Sequence, residues 1–317
     1  MSSLPSTFRK KAIEKLYVDT SGLSVYRWLT EASMQELEDK VSQRKFQRKL
    51  ERSLENVITF LLFLYRNQNI YGRLYVPRSI VGGSRTRSSR SSEPKIFATM
   101  LSWMAKCPIA RNIVLTSGGG MSYTTPIFVS KLANKHDDLK NIAVDAFEEV
   151  LKSYPTTDVM YMELAPEETT VIINADSTNK YVVSGRPDVL MWITGESLEQ
   201  RHLVLACELT LMSAIRHLIY GEMTFYITSL YINYGFEVAG LLINPKYIYL
   251  ILPKIPTDRA KLKEYFKKEG VPILLLKLFR QIDEERATKY AEELRSKKPW
   301  ICTLCDLRNL CPISGEI

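Results

Sequence analysis

The chain has little cysteine, no unbroken apolar run and no phosphate-cradling motif, and each shortage removes a class of protein. Five cysteines in 317 residues are too few for a secreted disulfide scaffold, and no leader-like stretch precedes them. The most apolar segment, FYITSLYINYGFEVAGLLINPKYIYLILP (225–253), is interrupted by Asn233, Gly235, Glu237, Asn244 and Lys246. It therefore reads as a helix followed by two strands, not as a membrane span. The expectation is an intracellular, cytoplasmic protein with no membrane partner. SGGG (117–120) lacks the spaced glycines and the Lys-Ser/Thr pair of a nucleotide-phosphate loop, and no internal repeat is evident. Acidic residues are in deficit, 35 against 43 Lys plus Arg, for a net charge of +8 and a pI near 9.1. That excess favours a polyanionic partner such as nucleic acid. Abundant Ile, Tyr, Lys and Glu with few Gln is thermophile-like usage.

What is present suffices for a large core: 45% of the residues are hydrophobic. Residues 1–75 read as a helical region, in which Arg44, Lys45, Arg48, Lys49 and Arg52 share one side of a helix. That side is either a solvated face or a phosphate-binding patch. Residues 76–95 are a Ser/Arg-rich loop or linker, whose Arg85, Arg87 and Arg90 can order on nucleic acid. A helix follows, broken by Pro108 just after Cys107. Another helix near 126–153 carries His136. Strand-like runs at 169–175, 180–193, 202–210, 237–243 and 247–252 surround a helix near 212–234. The fold class expected is α/β (α+β), a mixed central sheet flanked by helices over 96–256. Residues 257–317 form a C-terminal helical region.

Two carboxylates stand in apolar surroundings. Asp188 follows a Gly-Arg-Pro bend in VVSGRPDVLMW, and Glu208 lies near the end of LVLACELT. An ionised carboxylate among Val, Leu and Ala is costly unless something pairs with it. A shared divalent cation such as Mg²⁺ or Mn²⁺ would remove that cost and could also bind a phosphodiester and activate water; an arginine at each strand end is the plain alternative. At the C-terminus, KKPWICTLCDLRNLCPIS holds Cys302, Cys305 and Cys311 within ten residues. Three thiolates are one short of a closed tetrahedral site. Zinc and free buried thiols are the readings that spacing alone leaves open.

GRPDVL…VLACELT resembles the active-site signature of the PD-(D/E)XK nuclease superfamily. Glu222 and Tyr226 in GEMTFYITSLY resemble the Gln-x-x-x-Tyr motif of its RecB-like branch. CRISPR-associated exonucleases and AddB-type nucleases of that branch also carry a 4Fe–4S cluster. Their last three cysteines have Cys-x2-Cys-x5-Cys spacing, which Cys302, Cys305 and Cys311 match. AKCPIARN resembles the segment around the family's first cysteine, which would make Cys107 the fourth ligand. The resemblance spans about residues 100 to 312. It implies a metal-dependent DNA exonuclease acting on single strands or DNA ends, with a structural cluster that clasps the C-terminus to the core. It implies Asp188, Glu208, His136 and the Leu209 carbonyl around the metal, and DNA processing such as CRISPR spacer acquisition or recombination. Cys207 reads as a packing residue, turned away from the metal by strand alternation.

Two positions depart from that pattern. The family's lysine, two residues after the second carboxylate, is Thr210 here, which supplies no positive charge. Glutamine is replaced by Glu222. On the helix after Thr210 the basic side chains are Arg216 and His217, either a candidate substitute. A DNA-binding subunit with weakened catalysis is therefore the alternative to an active nuclease.

Overall fold

The structure is a computed structural model. It describes residues 14–16, 23–30, 32–37, 39–68, 81–83, 95–117, 129–153, 158–164, 166–175, 179–195, 202–212, 215–234, 237–253, 271–303, 305 and 307–313. Strands β1 (Glu14–Leu16) and β2 (Leu23–Leu29) precede the long helix α1 (Lys40–Gln68). Short strands β3 (Val81–Gly83) and β4 (Lys95–Phe97) lead into α2 (Ala98–Lys106), α3 (Pro108–Ser117) and α4 (Val129–Ser153). Then come β5 (Asp158–Leu164), β6 (Thr169–Asn174), β7 (Lys180–Gly185), β8 (Val189–Gly195) and β9 (His202–Leu209). A continuous helix α5 runs from Arg216 to Tyr234, with a π-helical turn at Ile219–Met223. Strands β10 (Glu237–Ile243) and β11 (Tyr247–Pro253) and helices α6 (Val271–Leu278), α7 (Glu284–Lys297) and α8 (Pro299–Thr303) complete it.

The main sheet orders its seven strands β1-β2-β11-β10-β9-β8-β5, and a second sheet orders β3-β6-β7-β4. A mixed sheet flanked by helices is thus what the sequence led one to expect. β9 and β10 are parallel, Leu203–Leu209 opposite Glu237–Ile243, and α5 is their crossover. Both strands are almost wholly apolar because both faces of the sheet are covered. Leu205, Cys207 and Leu209 look toward α1 and α4, packed with Phe46, Leu50 and Phe147. Val204 and Ala206 look the other way, toward Leu101, Phe225 and Ile227. Helix α5 is apolar nearly all round because it lies between the two sheets: Ser229 meets Thr169 of β6 at 3.0 Å, while Met223 and Ile227 abut Gly240 of β10.

The N-terminal expectation needs correction. Among the described residues, helix forms only from Lys40 (apart from a 3₁₀ turn at Met34–Leu37), and Leu23–Leu29 is a strand paired with Tyr247–Pro253. Besides the short β1, its partner is β11, more than two hundred residues away, which no local period reveals. Within the segment expected as loop, Val81–Gly83 pairs with Val171–Ile173. Arg85, Arg87 and Arg90 lie outside the described residues. The run 180–193 is two strands, not one: Arg186–Asp188 separates β7 of the small sheet from β8 of the large one. The break at Pro108 occurs as read, with Cys107 between α2 and α3.

Candidate functional site

The carboxylates meet where β8 begins and β9 ends. Val189 pairs with Cys207, which sets Asp188 beside Glu208 across the antiparallel ladder. The Leu209 N–H donates to Asp188 Oδ2 at 2.9 Å. From α4, Lys140 Nζ stands 3.4 Å from Asp188 Oδ1. His136 Nε2 is 3.0 Å from the Leu209 carbonyl and 4.0 Å from Asp188 Oδ2. A carbonyl only accepts, so Nε2 carries a proton in that contact. His136 and Lys140 are four residues apart and therefore share one face of α4. That face is the one aimed at the strand ends.

Glu208 points to the opposite side of β9 from Cys207, as alternation requires. Its carboxyl is buried, and Oε2 has no hydrogen-bond partner among the described residues. Burial pushes its pKa well up, and the charges of Asp188 and Glu222 add to the rise; the Asp188 backbone N–H and the Lys140 charge oppose it. Glu222 comes from the π-helical turn of α5 and is also buried. It accepts a hydrogen bond from Ser102 Oγ at 3.0 Å. Burial carries its pKa to about 7, with Ser102 opposing and Asp188 adding to the shift. Tyr226 OH donates to the Arg186 carbonyl at 3.1 Å. Burial, then the charges of Glu208, Glu222 and Asp188, hold its phenol well above the ordinary range. Such a hydroxyl stays protonated.

Thr210 lies at the end of β9, two residues beyond Glu208. Its Oγ1 accepts the Met212 N–H at 3.1 Å and its own N–H donates to the Ile243 carbonyl at 2.9 Å. The hydroxyl serves the turn out of the strand. Neither basic candidate on α5 takes the lysine's place: Arg216 lies over the Tyr220 ring at 5.6 Å, and His217 is half-buried near Lys106, its pKa lowered to about 4 by desolvation first and that charge second. Sequence reading missed Lys140 and Ser102. Lys140 stood in the same NKHDDLKN segment as His136, and helical spacing was the signal that could have paired them.

The cysteines form a second locus. Cys107, Cys302, Cys305 and Cys311 all border one cavity of about 40 Å³, otherwise walled mainly by Trp103, Ile113, Leu294, Ile301 and Leu307. The fifth, Cys207, is fully buried on the far face of β9. Burial raises the thiol pKa of Cys107 and of Cys302. Lys106 lies beside the cavity, Nζ 4.7 Å from the Trp103 ring centre and 5.5 Å from that of Trp300. The tail is held from both sides: Asn112 of α3 makes two hydrogen bonds to Ile282, at 2.7 and 3.0 Å, and Arg295 donates to the Ile313 carbonyl. Among the described residues, no group of three or more His, Cys, Asp or Glu side chains is arranged to hold a metal ion as it stands.

No protein-family model matches the chain, and no curated protein sequence matches it. Among the described residues, no helix is long and apolar enough to cross a membrane.

Proposed function

We propose that this chain is a metal-dependent DNA nuclease, of the exonuclease kind that acts on single strands or DNA ends, stabilised by a 4Fe–4S cluster. One observation carries the first half: Glu208 Oε2 is buried with no hydrogen-bond partner among the described residues, beside a second carboxylate. A buried carboxylate with an open lone pair is costly, and a divalent cation shared with Asp188 is the direct remedy. Asp188 and Glu208 would hold it, with the Leu209 carbonyl and His136 adjoining. When bound, Mg²⁺ or Mn²⁺ supplies Lewis acidity toward a phosphodiester oxygen and makes water a better nucleophile. The chain's own residues fix the surroundings: Leu209 N–H orients Asp188, Ser102 anchors Glu222, and Tyr226 keeps its proton. The net charge of +8 suits a nucleic-acid substrate. Such an activity belongs to DNA processing, of which CRISPR spacer acquisition and recombination are instances.

Four cysteines from two distant segments around one void support the cluster. Its ligands would tie the α2–α3 junction to the C-terminal tail, a cross-link that restrains the unfolded chain.

A second reading is favoured by Thr210, whose hydroxyl is engaged in the turn. A chain that holds DNA without cutting it would keep the same fold and surface. A time course on 5′- and 3′-labelled single strands with Mg²⁺, Mn²⁺ or EDTA separates the two. The nuclease reading requires metal-dependent cleavage that disappears in Asp188→Ala; DNA binding with no cleavage under any metal establishes the second.

A further inference from the structure

The site contains three carboxylates, Asp188, Glu208 and Glu222; after burial itself, the charge of Asp188 raises the proton affinity of both glutamates, and that of Glu222 adds to the rise at Glu208. A cluster of carboxylates repels a phosphodiester unless cations answer it. A bound divalent ion answers part of that charge. The lysine of the resembling family would answer more, but Thr210 is uncharged and committed to the turn. Among the described residues, Lys140 is a cation that the fold places beside Asp188. Its Nζ lies 3.4 Å from Asp188 Oδ1, and the two side chains are only 33% and 16% exposed. An ordinary exposed ion pair contributes little, but this one is partly buried and adjoins the buried carboxyl of Glu208. Leu209 N–H already satisfies Asp188 Oδ2, so Lys140 is not needed to orient that carboxylate. Its contact is also long for a charge-assisted hydrogen bond, which usually closes to about 2.7–2.9 Å. The ammonium therefore has a loose hold on Asp188 and a flexible four-carbon stem with which to shift.

Resting on the nuclease reading above, we infer that Lys140 supplies from helix α4 the positive charge that strand position 210 lacks, by donating a hydrogen bond to a non-bridging oxygen of the scissile phosphodiester. In hydrolysis the water oxygen bonds to phosphorus and one ester P–O bond breaks. Its electron pair leaves on the ester oxygen, which takes up the proton that water gives up. Lys140 stays protonated throughout and only balances the charge that builds on the phosphoryl oxygens. The same cation has thus moved from the strand to a helix on the other side of the metal carboxylates.

The test compares the full chain with Lys140→Met, Lys140→Arg, Thr210→Lys/Lys140→Met and Asp188→Ala, in single-turnover cleavage of a labelled single strand with Mn²⁺. Mn²⁺ affinity is measured by titration calorimetry on the same proteins. Lys140→Met should slow cleavage about 100-fold or more while leaving Mn²⁺ affinity equal or tighter, because a cation has been removed from beside Asp188. Lys140→Arg keeps the charge and should retain activity within about tenfold, and lysine at position 210 should recover at least about tenfold in the Lys140→Met background. Asp188→Ala should lose both cleavage and Mn²⁺ binding. If Lys140→Met cleaves like the wild type while Asp188→Ala does not, Lys140 is an ion-pair partner only and the inference fails alone. If the wild type does not cleave at all, the nuclease reading has failed and this inference falls with it.

Discussion

Ser102 Oγ donates a hydrogen bond to Glu222 Oε1 at 3.0 Å, across 120 residues of chain. The donor sits on α2 and the acceptor on the π-helical turn of α5, two helices that touch along their backbones. The contact exists because position 221 is glycine: a Cβ there would lie 2.5 Å from Leu101 C and from Ser102 N. Five residues beyond Ser102, the same α2 helix ends at Cys107, on the cysteine cavity. Carboxylate site and cysteine site are thus linked by one short helix.

Gly221→Ala tests that link. The added methyl meets backbone rather than a movable side chain, so α2 and α5 must separate. The expected loss is about 1–3 kcal/mol, read as a lower urea midpoint, with reduced cleavage because Glu222 loses its anchor. Unchanged stability would show that the two helices do not pack as described.

Acid should stabilise the metal-free protein. A carboxyl whose pKa is higher in the folded than in the unfolded state holds its proton more tightly when folded. For Glu222 the window runs from the ordinary 4.5 up to about 7. Its contribution is fully present below that window and declines as pH rises through it; buried Glu208 acts in the same direction. In EDTA, the Tm at pH 5 should exceed that at pH 8. Glu222→Gln should flatten the dependence, and an equally steep variant would remove Glu222 as its source.

Much of this was legible in the sequence, for physical reasons. β9, β10 and β11 announced themselves as short apolar runs bounded by polar residues, and Pro108 broke its helix where a missing N–H must. Asp188 and Glu208 stood out because charge among Val, Leu and Ala needs an explanation. The cysteine set emerged only through a resemblance, since nothing local ties Cys107 to residues nearly two hundred positions later. β2 was missed because its longer pairing, with β11, is long-range, and strand propensity is weak before a partner is known. Lys140 was missed because a lysine on an amphipathic helix reads as solvent-facing until the tertiary fold turns that face toward Asp188.

Iron should accompany the four cavity cysteines. Anaerobically purified protein should contain about four irons per chain. Cys107→Ala and Cys302→Ala should both lose iron and melt at lower temperature. Cys207→Ala, on the far face of β9, should keep its iron. One zinc with no iron would replace the cluster by a zinc site, and iron loss from Cys207→Ala would overturn the ligand assignment.

Phosphate contacts by the Ser/Arg segment should appear in salt dependence. Single-strand affinity should fall steeply with salt as counterions are released. Replacing Arg85, Arg87 and Arg90 together by Ala should weaken binding and flatten the slope by up to about two in log–log terms. Unchanged affinity and slope would make the segment a linker.

Glu208→Gln separates stability from function most sharply. In the wild type without metal, a carboxylate is buried with one oxygen unpartnered among the described residues, beside two others. A neutral amide of the same shape removes that charge, so near pH 8 the metal-free variant should be more stable than the wild type, by about 1–3 kcal/mol. Added Mn²⁺ should reverse the ranking. A ligand that binds only the folded state raises the Tm with concentration, and the variant has lost a charged ligand from the pair. The wild type should gain Tm with Mn²⁺ and cleave DNA; the variant should gain little and cleave nothing. The crossing of the two stability curves is the signature of a carboxylate retained for a cation. If Glu208→Gln is less stable than the wild type without metal, and both respond equally to Mn²⁺, Glu208 is a structural residue and the cation lies elsewhere.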